Sequence, residues 1–249
     1  MGLSKPKWEG QRACVFDTEE YEHTHPFNPI YFYDDFLGAW TAVPDVGVLL
    51  ESGCPWAKVI VKTGGAPTVA LVANVENGVA QCALDATGEA QSAFLYMGDD
   101  RRFIITQGTV FEARVRVLVL PTSLAEAVWG LAGDTGVPDA ITYSAWVTAD
   151  GSGEIFCETD DNTAGEQSVT SGVTVLATDW KVYRIDFRDV TDIKFFINGS
   201  RVASGTTFAY TATGANATLQ PFLGCYKAAP DTGLATIKID YVRIWGNRS

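Results

Sequence analysis

The sequence has little of the side-chain chemistry from which many catalytic sites are built. It contains only two histidines, His23 and His25, and charged residues make up 19% of its 249 residues. A histidine-based triad or metal site would have to recruit one of this pair, and a solvated turn is the more common role for two such residues. No glycine-rich phosphate loop leads from a strand into a helix. We therefore predict no metal site and no cofactor.

Cysteine is scarce and scattered. The five cysteines are odd in number and form no Cys-x-x-Cys pair. This spacing argues against both a disulfide framework and a zinc site. The sequence therefore predicts free, mostly buried thiols and folding in a reducing cytoplasm. The residues are Cys14, Cys54, Cys82, Cys157 and Cys225.

Clusters of basic residues and long apolar runs are also missing. The net charge is −12, and the densest basic spot is the pair Arg101-Arg102. An acidic chain repels phosphate backbones, so we predict no nucleic-acid partner. No run is long and apolar enough to span a bilayer, and the N-terminus lacks the apolar segment of a secretory signal. No membrane partner is expected.

What the sequence does contain is a series of short apolar runs rich in β-branched and aromatic residues. Gly, Pro, Asn and Asp separate these runs, and no helical periodicity lasts for twelve residues. Many strands with turns every 8 to 12 residues indicate an all-β sandwich or barrel. The predicted strands are 30–37, 57–62, 68–74, 79–84, 92–97, 103–106, 110–119, 127–132, 141–148, 154–159, 166–171, 180–188, 192–198, 219–226 and 234–245.

Several of these runs alternate between apolar and polar residues. Residues 111–117 and 180–187 each place one set of side chains on one face and the other set opposite. Such alternation is typical of antiparallel sheets that are solvated on one side. Asn198-Gly199 is the strongest hairpin signal in the chain. Residues 122–128 fit a short helix as well as a strand.

The first 29 residues do not follow the strand pattern. Pro26 and Pro29 favour extended neighbours, and aromatic anchors occur at irregular spacing. We predict an extended N-terminal arm over 1–29 and a sandwich over 30–249, in which 41–109 is an insertion or a small β subdomain. The arm packs along its own domain or on a neighbouring molecule. Its candidate partner-binding residues are Trp8, Phe16, Tyr21 and Phe27.

The second half of the chain carries a recognisable order of phrases. FEARVRVLVLP (111–121) is followed by VWGLAGD, ITYSAWV and GEIFCETDDN, and then by WKVYRIDF, IKFFINGSRVAS and ATIKIDYVRIW (235–245). This order resembles the concanavalin A-like lectin/glucanase superfamily, in the LamG-like versions found in bacteriophage virion structural proteins. The resemblance covers about 110–249. It implies an antiparallel two-sheet jelly-roll sandwich in which 31–40 pairs with the closing strand.

Glucanases of this superfamily carry their catalytic acids on one strand, spaced E-x-D-x-x-E or E-x-D-x-E. The nearest match lies in 154–162, where Glu154, Phe156, Glu158 and Asp160 share a face of a straight strand. In one register Phe156 replaces the middle Asp, and in the other Asn162 replaces the second Glu. Each register lacks one required group. We therefore predict no catalytic residues and a protein that is not an enzyme.

A sugar-binding site would need an exposed aromatic ring. Trp146 alternates with Ser144 and Thr148, so it is predicted to face the polar side of its sheet. It is the best candidate for a glycan platform in this sequence.

Together these features favour a non-enzymatic virion structural protein, most concretely a capsid decoration protein. We expect it on the outer capsid surface after synthesis in the host cytoplasm. Its expected partners are the major capsid protein, reached through the arm, and copies of itself, with a homotrimer as the family-level expectation. One alternative is a tail fibre or receptor-binding module that recognises a cell-surface glycan. The other is a glycoside hydrolase of the concanavalin-like superfamily, which would need a competent acid pair around 154–160.

Overall fold

The computed structural model describes residues 5–9, 12–17, 22–24, 30–37, 55–72, 78–136, 138–163 and 166–246. Within these residues, nineteen strands and three short 3₁₀ helices make up the regular structure. The first nine strands are β1 (Lys5–Glu9), β2 (Arg12–Asp17), β3 (Glu22–Thr24), β4 (Ile30–Asp34), β5 (Ala57–Val61), β6 (Thr68–Leu71), β7 (Ala80–Ala83), β8 (Gln91–Tyr96) and β9 (Phe103–Ile104). The remaining strands are β10 (Val110–Val119), β11 (Glu126–Ala132), β12 (Ser144–Ala149), β13 (Glu154–Asp160), β14 (Gln167–Thr174), β15 (Lys181–Asp186), β16 (Lys194–Ile197), β17 (Ser200–Val202), β18 (Thr218–Lys227) and β19 (Thr236–Gly246).

Two eight-stranded antiparallel sheets pack face to face. The first sheet has the order β17-β16-β15-β10-β19-β7-β6, and β4 also pairs with β19. The second sheet has the order β14-β13-β12-β11-β18-β8-β5, and β9 also pairs with β18. Strands adjacent in space are mostly distant in sequence, as in a jelly roll. The predicted all-β, antiparallel two-sheet sandwich is confirmed.

The predicted alternation places the core between the sheets. Phe111, Ala113 and Val115 of β10 are fully buried, whereas Glu112 and Arg114 between them point to the outer face. Ile185 of β15 is also fully buried. From the second sheet, Trp129 of β11 meets the ring of Tyr183 edge-on, with 4.8 Å between ring centroids. Such contacts join the two sheets through apolar burial, which is the main stabilising term of a sandwich.

The last strand changes phase in its middle. Opposite β10, the register shifts between Arg114 and Val115, where Arg114 faces Tyr241 and Val115 faces Ile239. A bulge of this kind turns the following side chains to the opposite face. Ile239 therefore faces the core in the first part of β19, and Val242 faces it in the second part. This explains why the alternation of the sequence changes character near the end of the strand.

The turns and edge pairings follow the sequence signals. Asn198 and Gly199 both have positive φ, 49° and 78°, as the two central residues of a type I′ hairpin require. β4 pairs with β19, with Tyr33 opposite Arg243, so the predicted pairing of the opening and closing strands is confirmed. In the segment where a helix and a strand fit equally well, the structure has a turn followed by β11, which begins at Glu126.

The described strands from 57 to 104 belong to both sheets. β5 and β8 extend the second sheet, while β6 and β7 extend the first. Within the described residues, this region completes the sandwich and does not form a sheet of its own. Its apolar residues, including Leu95 and Cys82, join the common core.

The segment predicted as an extended arm contains a small antiparallel sheet of β1, β2 and β3. Trp8 lies in β1 opposite Ala13, and Phe16 lies in β2 opposite Lys5 and His23. The side chains of Trp8 and Phe16 lie outside the described part of the structure. Tyr21 and Phe27 lie outside the described residues altogether. A partner-binding role for these four aromatic residues stays a prediction.

The cysteines with described side chains behave as predicted. Cys82, Cys157 and Cys225 are free and fully buried. The side chain of Cys14 and the whole of Cys54 lie outside the described residues. Within 5–246, less the gaps given above, no helix is long and apolar enough to cross a membrane, and no cluster of His, Cys, Asp or Glu could hold a metal ion.

Candidate functional site

The outer face of the second sheet carries a line of residues that lie opposite one another on six adjacent strands. We call this line the Glu158 row. It crosses β14, β13, β12, β11, β18 and β8, and every second residue of these strands faces the core instead. Its members are Ser168, Glu158, Trp146, Gly130, Phe222 and Tyr96.

Glu158 is the acid at the centre of a hydrogen-bond cluster in this row. Its Oε2 accepts a hydrogen bond from Trp146 Nε1 at 2.9 Å. Its Oε1 accepts from Thr148 Oγ1 at 2.9 Å and from Ser168 Oγ at 2.7 Å. All three partners are donors that lie on the two neighbouring strands, so they fix the position of the carboxylate from both sides.

The acids predicted to share one face of β13 do share it. Glu154 is exposed and Phe156, Glu158 and Asp160 are half-buried, whereas the residues between them are buried in the core. Strand geometry separates the Cα atoms of Glu158 and Asp160 by roughly 6.6 Å. Asn162 lies in the turn after the strand, with φ of 61°, and its backbone N–H donates to Asp160 Oδ1 at 2.8 Å.

Glu154 stands apart from this pair. Glu158 is four positions further along the strand, which corresponds to roughly 13 Å between the two Cα atoms. The pairing of β13 with β14 also shifts register between Glu154 and Phe156. Glu154 Oε2 accepts a hydrogen bond from Thr170 Oγ1 at 2.9 Å. The pair of nearest acids is therefore Glu158 and Asp160.

Aromatic rings fill the part of the face next to Glu158. Phe94 stacks on Phe222 with 4.4 Å between centroids, and Trp146 follows at 6.2 Å from Phe222. Trp146 lies on the outer face, as its alternation predicts. Its ring is 3% exposed, and it orients Glu158 where an open platform was expected. Direct contact between Trp146 and a glycan stays a prediction.

Two glycines make room for these rings. A Cβ on Gly224 would lie 2.1 Å from the backbone oxygen of Ala93 and 2.4 Å from Cδ1 of Phe94. A Cβ on Gly130 would lie 2.5 Å from the Cα of Trp146. The ring of Phe94 and the backbone of Trp146 therefore lie close to the bare backbone of the neighbouring strands.

The thiol next to Glu158 is not a competing nucleophile. Cys157 faces the core on the opposite side of β13. Burial, together with the nearby Glu158 charge, raises the pKa of this thiol to about 12. Because the thiolate is the reactive form, Cys157 is inert at neutral pH.

Sequence reasoning found Glu158, Asp160 and Trp146 but missed Thr148, Ser168, Phe94 and Phe222. The two hydroxyl donors, Thr148 and Ser168, lie on neighbouring strands and are each ten residues from Glu158 in sequence. No local motif contains them. Phe94 lies in β8, where both faces are buried. A strand buried on both sides is a continuous apolar run, and its sequence does not distinguish the outer from the inner residues.

We predict that Trp146 and Glu158 are energetically coupled. A double-mutant cycle with Trp146→Phe and Glu158→Ala, measured by denaturant unfolding, is expected to give a coupling energy of about 1.5–3 kcal/mol, because hydrogen bonds to charged groups are worth that much. Trp180→Phe with Glu158→Ala provides the control cycle, since Trp180 contacts Arg114 of the other sheet. A coupling energy near zero for Trp146 would contradict the observed contact.

No protein-family model and no curated protein matches this sequence. Solved structures do match it. One is a Mycobacterium tuberculosis protein described as an immunostimulatory antigen and pseudo beta-1,3-glucanase, with a TM-score of 0.56, 19% identity, and coverage of 87% of this chain and 98% of that one. Another is a glycosyl hydrolase family protein from Mycobacterium fortuitum, with a TM-score of 0.56, 18% identity, and coverage of 86% of this chain and 98% of that one. A third is a GH16 protein from the mixed linkage glucan PUL of Bacteroides ovatus, in complex with a product. Its TM-score is 0.53 and its identity 12%, and the match covers 86% of this chain and 99% of that one.

These likenesses establish the concanavalin-like jelly-roll fold over most of the chain. They also correct one prediction. The expectation that the chain is not an enzyme rests on the incomplete acid motif, and it is contradicted because neighbours that share the fold include a glycosyl hydrolase family protein and a GH16 protein. The glycoside hydrolase alternative fits these neighbours better than a virion structural role does. Nothing in these likenesses indicates a bacteriophage particle.

Proposed function

We propose that this protein is a glycoside hydrolase that cleaves a glycan on the outer face of the second sheet, with Glu158 as a catalytic carboxylate. The observation that carries the proposal is the geometry of Glu158, which three donors from β12 and β14 hold at a partly exposed position. A catalytic acid or base must be fixed in place by its neighbours before substrate arrives. The fold shared with glycosyl hydrolases supports the same reading.

The second carboxyl group of the proposed pair is Asp160. Glycosidases that invert the anomeric centre hold their two carboxyl groups about 6.5–9.5 Å apart, and retaining enzymes hold them about 5–5.5 Å apart. The Cα atoms of Glu158 and Asp160 lie roughly 6.6 Å apart on the same face of β13, and we assign the pair to the inverting class as part of this proposal. This choice of pair replaces the E-x-D-x-x-E pattern, which the strand does not carry.

In the proposed reaction, a water molecule attacks the anomeric carbon and the bond from that carbon to the leaving oxygen breaks. We assign Glu158 as the group that takes the proton of the attacking water, because three donors on the two neighbouring strands fix its position. Asp160 supplies the proton that the leaving oxygen gains. One proton is thus taken up and one released, and the products are two shortened glycan chains.

The surface around this pair suits a pyranose substrate. Phe156 is half-buried between Glu154 and Glu158, and the hydroxyl groups of Ser168 and Thr170 lie on the adjacent edge strand. An apolar ring beside hydroxyl and carboxylate groups matches the apolar faces and hydroxyl edges of a sugar. The neighbours named for beta-1,3-glucan and mixed linkage glucan suggest β-glucans as the first substrates to test.

The test is an assay of new reducing ends from purified protein incubated with β-1,3-glucan, mixed linkage β-glucan and starch. We expect release from at least one β-glucan and none from starch, whose α-linkages give the chain a different shape. Asp189→Asn, in an exposed turn between β15 and β16, serves as the matched acid-to-amide control and should keep full activity. Absence of new reducing ends from every substrate at high protein concentration would contradict the proposal.

A further inference from the structure

The outer face of the first sheet carries a strong excess of positive charge. On its strands, seven basic side chains and three acidic ones face outward, although the whole chain has a net charge of −12. We call this surface the basic face. Its basic residues are Arg114, Arg116, Arg184, Lys194, Arg201, Lys238 and Arg243, and its acidic residues are Glu112, Asp186 and Asp240.

One line of residues crosses the basic face on six adjacent strands, from β17 through β16, β15, β10 and β19 to β4. We call it the Arg184 row. It places an arginine on every second strand, which corresponds to roughly 9.6 Å between successive arginine positions. The row consists of Arg201, Phe196, Arg184, Glu112, Arg243 and Tyr33.

The arginines of this row differ in how their donors are used. Arg243 donates to Glu112 Oε1 through Nε at 2.9 Å, and its guanidinium lies 4.9 Å from the ring centroid of Trp245. Arg201 lies 3.4 Å from Asp192. Arg184 makes no hydrogen bond or ion pair with the described residues, and its Nε is buried without a partner.

Arg184 is nevertheless held in place. Its guanidinium carbon lies 4.2 Å from the ring centroid of Phe196, so the two planar groups form a cation–π contact across β15 and β16. An arginine that is oriented by an aromatic ring and keeps unused donors is suited to bind a carboxylate or sulfate group. Arg184 is therefore the strongest single anion-binding element of the face.

We propose that the Arg184 row binds an acidic polysaccharide, with Arg184 contacting one of its anionic groups. The arginine spacing is comparable to the length of one disaccharide unit in an extended glycan, in which acidic sugars commonly alternate with neutral ones. Tyr33 is 47% exposed and Phe196 is partly exposed, so the row also offers apolar surface to sugar rings. This binding surface goes beyond the hydrolase proposal and does not depend on it, since Glu158 lies on the opposite outer face of the sandwich.

A nucleic acid fits the same surface less well. Its phosphates recur every 3.4 Å along each strand of a duplex, much more closely than the arginines of the row. Glu112 lies between Arg184 and Arg243 and would oppose a continuous line of phosphates. A polysaccharide with one acidic group per disaccharide can place its charges on either side of Glu112.

The experiment is a titration calorimetry comparison of the binding of hyaluronan, which carries one carboxylate per disaccharide, at low salt by the full-length protein and its variants. We expect Arg184→Gln to weaken binding about tenfold, because charge-assisted hydrogen bonds are lost. Arg184→Lys keeps the charge without the planar fork and should give an intermediate affinity. Arg102→Gln removes the same charge from an exposed loop and should change affinity less than twofold.

Several results would overturn the proposal. These are failure of the wild-type protein to bind hyaluronan or unsulfated chondroitin at low salt, and equal losses in Arg184→Gln and Arg102→Gln. Tighter binding of single-stranded DNA than of either polysaccharide would replace the glycan with a nucleic acid. Glu158→Gln should leave hyaluronan binding unchanged, so failure of the hydrolase proposal and failure of this one are distinguishable.

Discussion

Replacing Glu158 with glutamine is expected to lower the rate of β-glucan cleavage about 10²- to 10⁴-fold, the contribution typical of a positioned acid or base. Glutamine has nearly the same shape and retains a carbonyl oxygen that can accept from Trp146 or Thr148. It cannot take a proton from the attacking water. The loss should therefore appear in kcat, while KM and the melting temperature change little.

Variants of the two other acids on this face of β13, Asp160 and Glu154, show which carboxyl group acts with Glu158. Asp160→Asn is expected to lower kcat by a similar factor, because it removes the proton donor of the proposed pair. Glu154→Gln distinguishes the Glu158–Asp160 pair from a pair of Glu158 with Glu154. We expect this variant to keep kcat within about threefold, because a general acid or base must contact the reacting atoms directly. Proton NMR of the first product anomer would show inversion. A large loss in Glu154→Gln with retention of the anomer would contradict the Glu158–Asp160 pair.

Replacing Trp129 with alanine is expected to lower the free energy of unfolding by about 3–5 kcal/mol. Trp129 is fully buried on β11 of the second sheet and meets Tyr183 of the first sheet edge-on at 4.8 Å. Its removal leaves a cavity between the sheets where neither sheet can move inward without disturbing the other. Equilibrium unfolding in urea, followed by tryptophan fluorescence and circular dichroism, measures the change.

Trp129→Phe is the matched control for this prediction. Trp129 Nε1 makes no hydrogen bond with the described residues, so phenylalanine loses volume but no polar contact. We expect the control to lose less than half as much free energy as Trp129→Ala. Equal losses in the two variants, or a loss below about 1 kcal/mol for alanine, would mean that the ring does not join the two sheets.

The fold is predictable from this sequence because its strands alternate. In β10, Phe111 and Val115 face the core while Arg114 faces out, so the period alone assigns both faces of the strand. The Asn198-Gly199 turn was equally predictable, since few other dipeptides adopt two positive φ angles. The resemblance supplied one pairing, between 31–40 and the closing strand. The order of the other strands was not predicted, because period and propensity do not specify which strands become neighbours.

The candidate site was only partly predictable. Comparison with a linear E-x-D-x-x-E pattern drew attention to Glu158 and Asp160, but the missing group led to the prediction that the chain has no catalytic residues. The structure shows that the surroundings of Glu158 come from other strands, as the contacts with Thr148 and Ser168 demonstrate. Side chains that meet only through sheet register leave no fixed spacing in the sequence.

The basic face was missed for a related reason. A search for basic clusters along the chain finds Arg101-Arg102, an exposed pair in a loop beside Asp100 and Asp134. Arg184, Arg201 and Arg243 are far apart in sequence and alternate with core residues. Pleating and strand pairing bring them to one surface, so the local charge density of the sequence gives no indication of it.

The most direct test of glycan cleavage at Glu158 is a crystal structure of the Glu158→Gln variant soaked with a β-glucan oligosaccharide. We expect sugar density on the outer face of the second sheet, with a glycosidic oxygen near Asp160 and the side chain of residue 158 facing the anomeric carbon. Oligosaccharide bound elsewhere on the molecule, or an empty outer face at saturating oligosaccharide, would contradict it.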